Sequence, residues 1–337
     1  MSEPQVNVTL SANRYGKDKV RVLRVIRPST PGGKQIVLEY TVRLMIEGDF
    51  ATSYTQADNS MVVPTDTMKN TVYVFAKTSP HVATPELFGL HLASHMVTKY
   101  PHVTKAFVDI DSLKWSRIPV QGVEHKHSFV RDGEERRTTS VEVDGTQGKD
   151  KLVGKVTSGI QDLLVLKSSG SAFENFHQDE YTTLIPVSDR IFSTSVDLNY
   201  TFELPALAFG SVDKLEAVDI EAQFNRVAAS AKETTLEVFA VDESASATLY
   251  KMATDIIRKN PSVGTVSYKL PNKHYIRESS SSARSVRLAK ERATYPTGTG
   301  PVDLSYMKLD NLKPADAEVF CPVAAPSGYI TATVSRA

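Results

Sequence analysis

Hydrophobic and polar positions alternate from Lys34 to Glu47. Ile36, Leu38, Tyr40, Val42, Leu44 and Ile46 fall on one face of a strand, and Glu39, Thr41, Arg43 and Glu47 fall on the other. Val20–Ile26 predicts a partner strand, and the turn-rich Arg27-Pro-Ser-Thr-Pro-Gly-Gly-Lys34 between them predicts a hairpin. Two helical segments follow. The first opens at Pro64-Thr65-Asp66, where Thr65 or Asp66 is placed to cap it. The second runs from about Pro85 to Tyr100, with Gly89, Leu92, Ala93, Met96 and Tyr100 on one stripe. Strands are then expected near Thr104–Val120 and Ser128–Val143.

The same order recurs. Strands are expected at Gly159–Lys167 and Arg190–Phe202, the latter alternating Thr194, Val196, Leu198, Tyr200 and Phe202 on one face. One helix carries the stripe Ile220, Phe224, Val227, Ala231, and another carries Leu249, Met252, Ala253, Ile256, Ile257. Strands at Thr265–Ile276 and near Val319–Val334 close the half. Each half reads strand–strand–helix–helix–strand–strand, which predicts an α+β fold with antiparallel sheets and helices on one face. The polar stretch Asp144-Gly-Thr-Gln-Gly-Lys-Asp150 separates the halves, giving expected units at 14–145 and 150–335.

Composition narrows the function classes. The 337 residues hold 39 Lys+Arg against 39 Asp+Glu, so the chain has no electrostatic footprint for nucleic acid or an anionic membrane. The lone cysteine, Cys321, excludes an internal disulfide and a Cys-built zinc site, and it suits a reducing compartment. No apolar run approaches the ~18 residues expected of a membrane span, and MSEPQVNVTL lacks the character of a signal peptide. No P-loop, G-x-G-x-x-G after a strand, G-x-S-x-G or H-E-x-x-H occurs. His125-Lys-His127 places two imidazoles on one strand face, but three or four ligands are usual and no Cys stands nearby, so no metal is expected.

Four segments carry candidate chemistry. Arg14-Tyr-Gly-Lys-Asp18 sets Lys17 just ahead of a strand. Val63-Pro-Thr-Asp-Thr-Met-Lys-Asn70 places a hydroxyl and a carboxylate at a helix start, where free N–H groups can hold an anion. Asp179-Glu-Tyr-Thr-Thr-Leu184 leads to Ser188-Asp-Arg190, with Phe173 upstream. Leu270-Pro-Asn-Lys-His-Tyr275 sets Asn272 and His274 at the end of the face that holds Val266, Tyr268 and Leu270.

Together with Ser53-Tyr-Thr-Gln-Ala-Asp-Asn-Ser60, Pro85-Glu-Leu-Phe-Gly89, His127-Ser-Phe-Val-Arg-Asp132 and Leu166-Lys-Ser-Ser-Gly-Ser171, these segments resemble the urate oxidase (uricase) family from Arg14 to about Thr333. The resemblance implies the tunnelling fold, with two tandem ββααββ units whose sheets close into a barrel on oligomerisation, and a homotetramer around a tunnel. It implies oxidation of urate by O₂ and water to 5-hydroxyisourate and H₂O₂, with no metal or organic cofactor. Lys17, Thr65 and His274 match the family's proton-handling set. A lysine must lose its proton before it can act as a base, so the match requires a lowered pKa at Lys17. Thr65, Asp66, Phe173, Leu184, Arg190 and Asn272 match the substrate pocket. Arg190 corresponds to the guanidinium on the urate edge, Phe173 to the ring stacked on the purine, Leu184 to an apolar wall and Asn272 to the amide beside O₂ and water. Thr65 and Asp66 correspond to contacts at a helix N-terminus that come from the neighbouring subunit.

The chain departs from the family pattern twice. Ser244-Ala-Ser246 runs straight into Ala247-Thr-Leu-Tyr-Lys-Met252, without the Val-Gln whose amide clamps urate opposite the arginine. An unmet urate polar group costs about 1–3 kcal/mol, and a catalytically impaired purine-binding oligomer of the same fold is therefore the alternative reading. After His274-Tyr275, Arg277–Gly300 intervenes, 24 residues rich in Ser and Arg with the composition of a disordered insertion. Setting aside its five basic and two acidic residues leaves 34 basic against 37 acidic, a net charge of −3. The terminal Ser335-Arg-Ala337 partly matches a Ser-Lys-Leu-type signal, so a peroxisomal location is expected by resemblance, with the cytosol as the alternative.

Overall fold

The hairpin expected from the alternation is present as β1 (Tyr15–Ile26) and β2 (Ile36–Gly48), paired antiparallel outward from Ile26↔Ile36. The computed structural model describes residues 7–182, 186–203, 220–242, 245–276, 321–323 and 328–336, with the backbone alone at 245–246, 274–276 and 321–323. Tyr40, Val42, Leu44 and Ile46 are fully buried as the period-two pattern requires, whereas Ile36 at the hairpin end is half exposed. The expectation started β1 at Val20, but the strand begins five residues earlier. Its register slips between Lys17 and Val20, with Lys19 at φ 56°. Lys17 therefore lies opposite Leu44, while Val20 lies opposite Val42.

Three helices follow: α1 (Ala51–Thr55), α2 (Thr65–Thr78) and α3 (Pro85–Lys99). The short α1 has no apolar stripe and buries none of its residues, which is why periodicity did not predict it. α3 starts at its N1 proline and is covered nearly all round, burying Leu87, Phe88, Leu90, Leu92, Met96 and Val97. Its single expected stripe was therefore too narrow. At Gly89 a Cβ would come within 2.8 Å of Val141 Cγ2, so the glycine lets α3 settle directly onto the sheet. That sheet continues with β3 (Val103–Val120) and β4 (Val123–Asp144), paired antiparallel.

The remaining elements are β5 (Val153–Lys167), β6 (Phe192–Phe202), α4 (Ile220–Val241), α5 (Ala245–Lys259), β7 (Val263–Ile276), β8 (Cys321–Val323) and β9 (Tyr329–Ser335). All five inward positions expected on β6 are buried, as are the α4 and α5 stripes. The single closing strand expected near 319–334 is instead two strands. β8 pairs with His274–Ile276 and β9 with Thr265–Pro271, and Pro326-Ser-Gly328 interrupts the sequence between them. Strands β1 to β8 follow one another in chain order along the sheet, and β9 pairs β7.

The chain divides into two compact units. One draws on Met1–Ile160, Asn199–Ser230 and Asn260–Gly264, the other on Gln161–Leu198, Ala231–Lys259 and Thr265–Ala337. In the first, Glu86 at the start of α3 is fully buried. It accepts both 2.8 Å hydrogen bonds from Arg137 Nη2 of β4 and a 2.6 Å bond from Ser158 Oγ of β5. In the second, the Thr235 hydroxyl of α4 and the Tyr268 hydroxyl of β7 lie 2.6 Å apart, both buried, and Phe192 packs against Phe239.

Candidate functional site

Two groups of candidate residues assemble, one in each unit. The first gathers where β1 runs beside the start of α2. Because the register slips after Lys17, the odd-numbered Tyr15 and Lys17 share a face with the even-numbered Val20 and Val22. All four lie opposite inward-facing residues of β2: Ile46, Leu44, Val42 and Tyr40. An unbroken strand would turn Lys17 to the other face. At Gly16 a Cβ would lie 2.0 Å from the Leu44 carbonyl oxygen, so only glycine permits β1 to approach β2 this closely beside Lys17.

The start of α2 differs from expectation. Neither Thr65 nor Asp66 caps it. Pro64 occupies the N-cap position at φ −56° and ψ 137°, Thr65 is the first helical residue, and no side chain caps the turn. Proline supplies no hydroxyl or carboxylate, so the first-turn N–H groups receive no side-chain acceptor and retain their attraction for negative charge. The Asp66 carboxylate turns instead to its own helix, accepting from Lys69 Nζ at 2.5 Å and Asn70 Nδ2 at 2.9 Å. The hydrogen-bonded Lys69 ammonium holds Asp66 below the usual carboxylate range, and the Lys17 charge adds a smaller push in the same direction. Lys17 thus lies within electrostatic reach of the helix start that carries Thr65.

The second group lies in the other unit. Phe173 and Val187 form an isolated antiparallel bridge with reciprocal backbone bonds of 2.8 and 3.0 Å. Asp189 Oδ1 accepts from the Gly170 N–H at 2.6 Å, fixing the turn that delivers Arg190. The Arg190 guanidinium sits 5.0 Å from the Phe173 ring centroid, and Phe176 stacks on the same ring at 5.0 Å. Burial lowers the Arg190 pKa, and its Nε is enclosed with no hydrogen-bond partner among the described residues. On β7, Asn272 continues the buried face of Val266, Tyr268 and Leu270. Its N–H donates to the Gly328 carbonyl at 2.8 Å, and its side-chain Oδ1 is enclosed with no partner among the described residues. The Thr194 hydroxyl of β6 bonds to the Pro271 carbonyl at 3.0 Å, fixing the backbone next to Asn272. An enclosed polar atom without a partner costs about 1–3 kcal/mol unless a water or another polar group meets it.

His274 lies on β7 with its backbone paired to Val323. Leu184 and Arg277–Gly300 lie outside the described residues, as does Ser244; α5 begins at Ala245. The sequence reading quoted Tyr15 only as part of a motif, yet its hydroxyl accepts from the Val63 N–H at 2.8 Å and donates to the Val63 carbonyl at 3.2 Å.

A family model described as Uricase matches residues 13–142 and 156–331. A uricase of Schizosaccharomyces pombe is 43% identical over 96% of this chain and 96% of its own length. A uricase of Aspergillus flavus is 40% identical over 97% of each. The crystal structure of uricase from Arthrobacter globiformis superposes with a TM-score of 0.76 at 31% identity, covering 98% of this chain and 96% of that one.

Proposed function

This chain belongs to the uricase family, and from that premise we propose how its residues divide the work of oxidising urate. The fold is α+β, of the tunnelling type, and the chain is a urate oxidase. Urate, O₂ and water give 5-hydroxyisourate and H₂O₂. Two electrons pass from the purine to O₂, which leaves as peroxide, and water supplies the hydroxyl added to the oxidised ring.

Urate binds against the second group of residues. The Arg190 fork grips its polar edge, Phe173 stacks on its face, Leu184 walls it, and Asn272 holds the O₂ and water side. Thr65 and Asp66 present the positive start of α2 to the urate anion. Lys17, Thr65 and His274 carry the protons. The Thr65 hydroxyl relays between substrate or water and Lys17, and His274 completes the chain. What supports this division is the placement of the matched residues: the Arg190 guanidinium 5.0 Å from the Phe173 ring centroid in one unit, and the Lys17 charge within reach of Asp66 beside Thr65 in the other.

The tandem ββααββ units span 14–145 and 150–335. The protein works as a homotetramer, with Thr65 and Asp66 supplied to each site by the neighbouring subunit and Lys17, which lies beside them in the same chain, coming with them. A peroxisome suits its peroxide product. Among the described residues no helix is long and apolar enough to cross a membrane.

The test is loss of urate absorbance together with peroxide release by purified protein. Turnover is expected, and Lys17→Ala and Thr65→Ala each lower it by about 100-fold or more. Near-normal rates in both variants would remove the relay. Urate binding without turnover in the unsubstituted protein would leave a binding protein in place of an enzyme.

A further inference from the structure

We infer that Tyr15 is a positioning residue for catalysis, a tether that sets Thr65 in register with Lys17. The inference rests on the urate oxidase reading above and adds a residue to it. The Tyr15 hydroxyl engages both backbone groups of one residue 48 positions away. It accepts from the Val63 N–H at 2.8 Å and donates to the Val63 carbonyl at 3.2 Å. Val63 is buried and immediately precedes Pro64, the N-cap residue of α2. The bonded peptide groups therefore lie two residues from Thr65 on one side, and the tyrosine lies two residues from Lys17 on the other.

The surroundings explain why a tether is needed at this point. Helix starts are usually fixed by a side-chain cap. Here no side chain among the described residues caps α2, and its first-turn N–H groups stay free for an anion. A cap supplied by the helix itself would occupy those donors. Tyr15 holds the segment from one residue upstream, leaving them free while still fixing where the helix begins.

The tyrosine is itself held firmly. Its ring meets Phe50 edge-on at 4.8 Å. Phe50 is fully buried and meets His102 edge-on at 5.3 Å. Gly16 seals β1 against the Leu44 backbone directly between Tyr15 and Lys17. Strand alternation points both side chains to the face that carries α2. A shift of β1 is thereby transmitted to Thr65 as well as to Lys17, and their separation is preserved.

The decisive variant is Tyr15→Phe, which keeps the ring and its packing and removes only the hydroxyl. Full-length enzyme is assayed across pH 6–10 beside the unsubstituted protein. The expected result is a kcat reduced by about tenfold or more, KM for urate changed by less than about threefold, and a shifted limb of the pH–kcat profile. A purely structural tyrosine would lower the melting temperature but leave kcat per folded enzyme and the pH limb in place; that result would overturn the inference. If the unsubstituted enzyme turns over and Tyr15→Phe matches it, the tether is wrong and the urate oxidase reading stands. If neither turns over, the reading itself has failed. Should the variant not fold, hydrogen exchange of the unsubstituted protein decides: a protected Val63 amide supports the tether, and exchange at the rate of an open amide overturns it.

Discussion

Arg190 shows how one side chain can be stabilised and left expectant at once. Its guanidinium lies over Phe173, and the Asp189 turn fixes its backbone, yet its enclosed Nε has no partner among the described residues. Lysine keeps the charge but not the planar fork, so it cannot meet two in-plane acceptors. Arg190→Lys is therefore expected to raise KM for urate about tenfold or more with a smaller change in kcat, measured by steady-state kinetics. Ser246 runs straight into Ala247 without the Val-Gln of the family pattern, and on the proposed reading that shifts more of the hold on urate onto this arginine.

Elements with strict periodicity were legible in the sequence. β2 and β6 bury the faces that their alternation marks, and α4 and α5 bury the expected stripes, because half-covered elements must segregate polar from apolar positions. α3 was under-read because a helix covered nearly all round carries no contrast between faces. The start of α2 was misread because Thr65 and Asp66 have the chemistry of caps, and only tertiary contact shows that Tyr15 fixes that turn from outside. The site residues came from resemblance; periodicity supplied the face of Asn272 but no role for it. The packing of α2 on α3 carries a pH dependence. His95 of α3 is half-buried against Phe75 of α2, with ring centroids 4.6 Å apart. Burial foremost, and then the Lys99 charge, lowers its pKa from the ordinary 6.5. The neutral ring is favoured in the folded state, so the unfolded chain binds the proton more readily. This contribution to stability is fully present above about pH 6.5 and is lost as pH falls through the lowered folded value. Thermal unfolding measured from pH 8 to pH 5 is expected to show a falling melting temperature at the acid end, and His95→Gln a shallower fall.

At the scale of the molecule, the unit that holds Lys17 and Thr65 is pinned at Glu86. The carboxylate has no solvent exposure and joins α3 to β4 through Arg137 and to β5 through Ser158. Arg137 reaches Asn225 of α4, and Glu221 of the same helix accepts from Thr84 just before α3. Removing one member of a buried pair strands the other, at a cost of about 3–5 kcal/mol. Glu86→Ala is expected to cost about that much in urea unfolding, which is a large share of the 5–15 kcal/mol typical of folded proteins. This network joins four segments far apart in sequence, around 84–86, Arg137, Ser158 and 221–225, and no periodic pattern links one segment to another. The slipped register of β1 has a different reach, into descent. One surplus residue between Lys17 and Val20 sets which face every earlier side chain of the strand takes. Losing or gaining a single codon there would leave Val20 and Val22 in the core while turning Tyr15 and Lys17 away from α2. Length changes at this point would be tolerated only in even numbers, so a lineage that needs the lysine inherits a parity rule along with it.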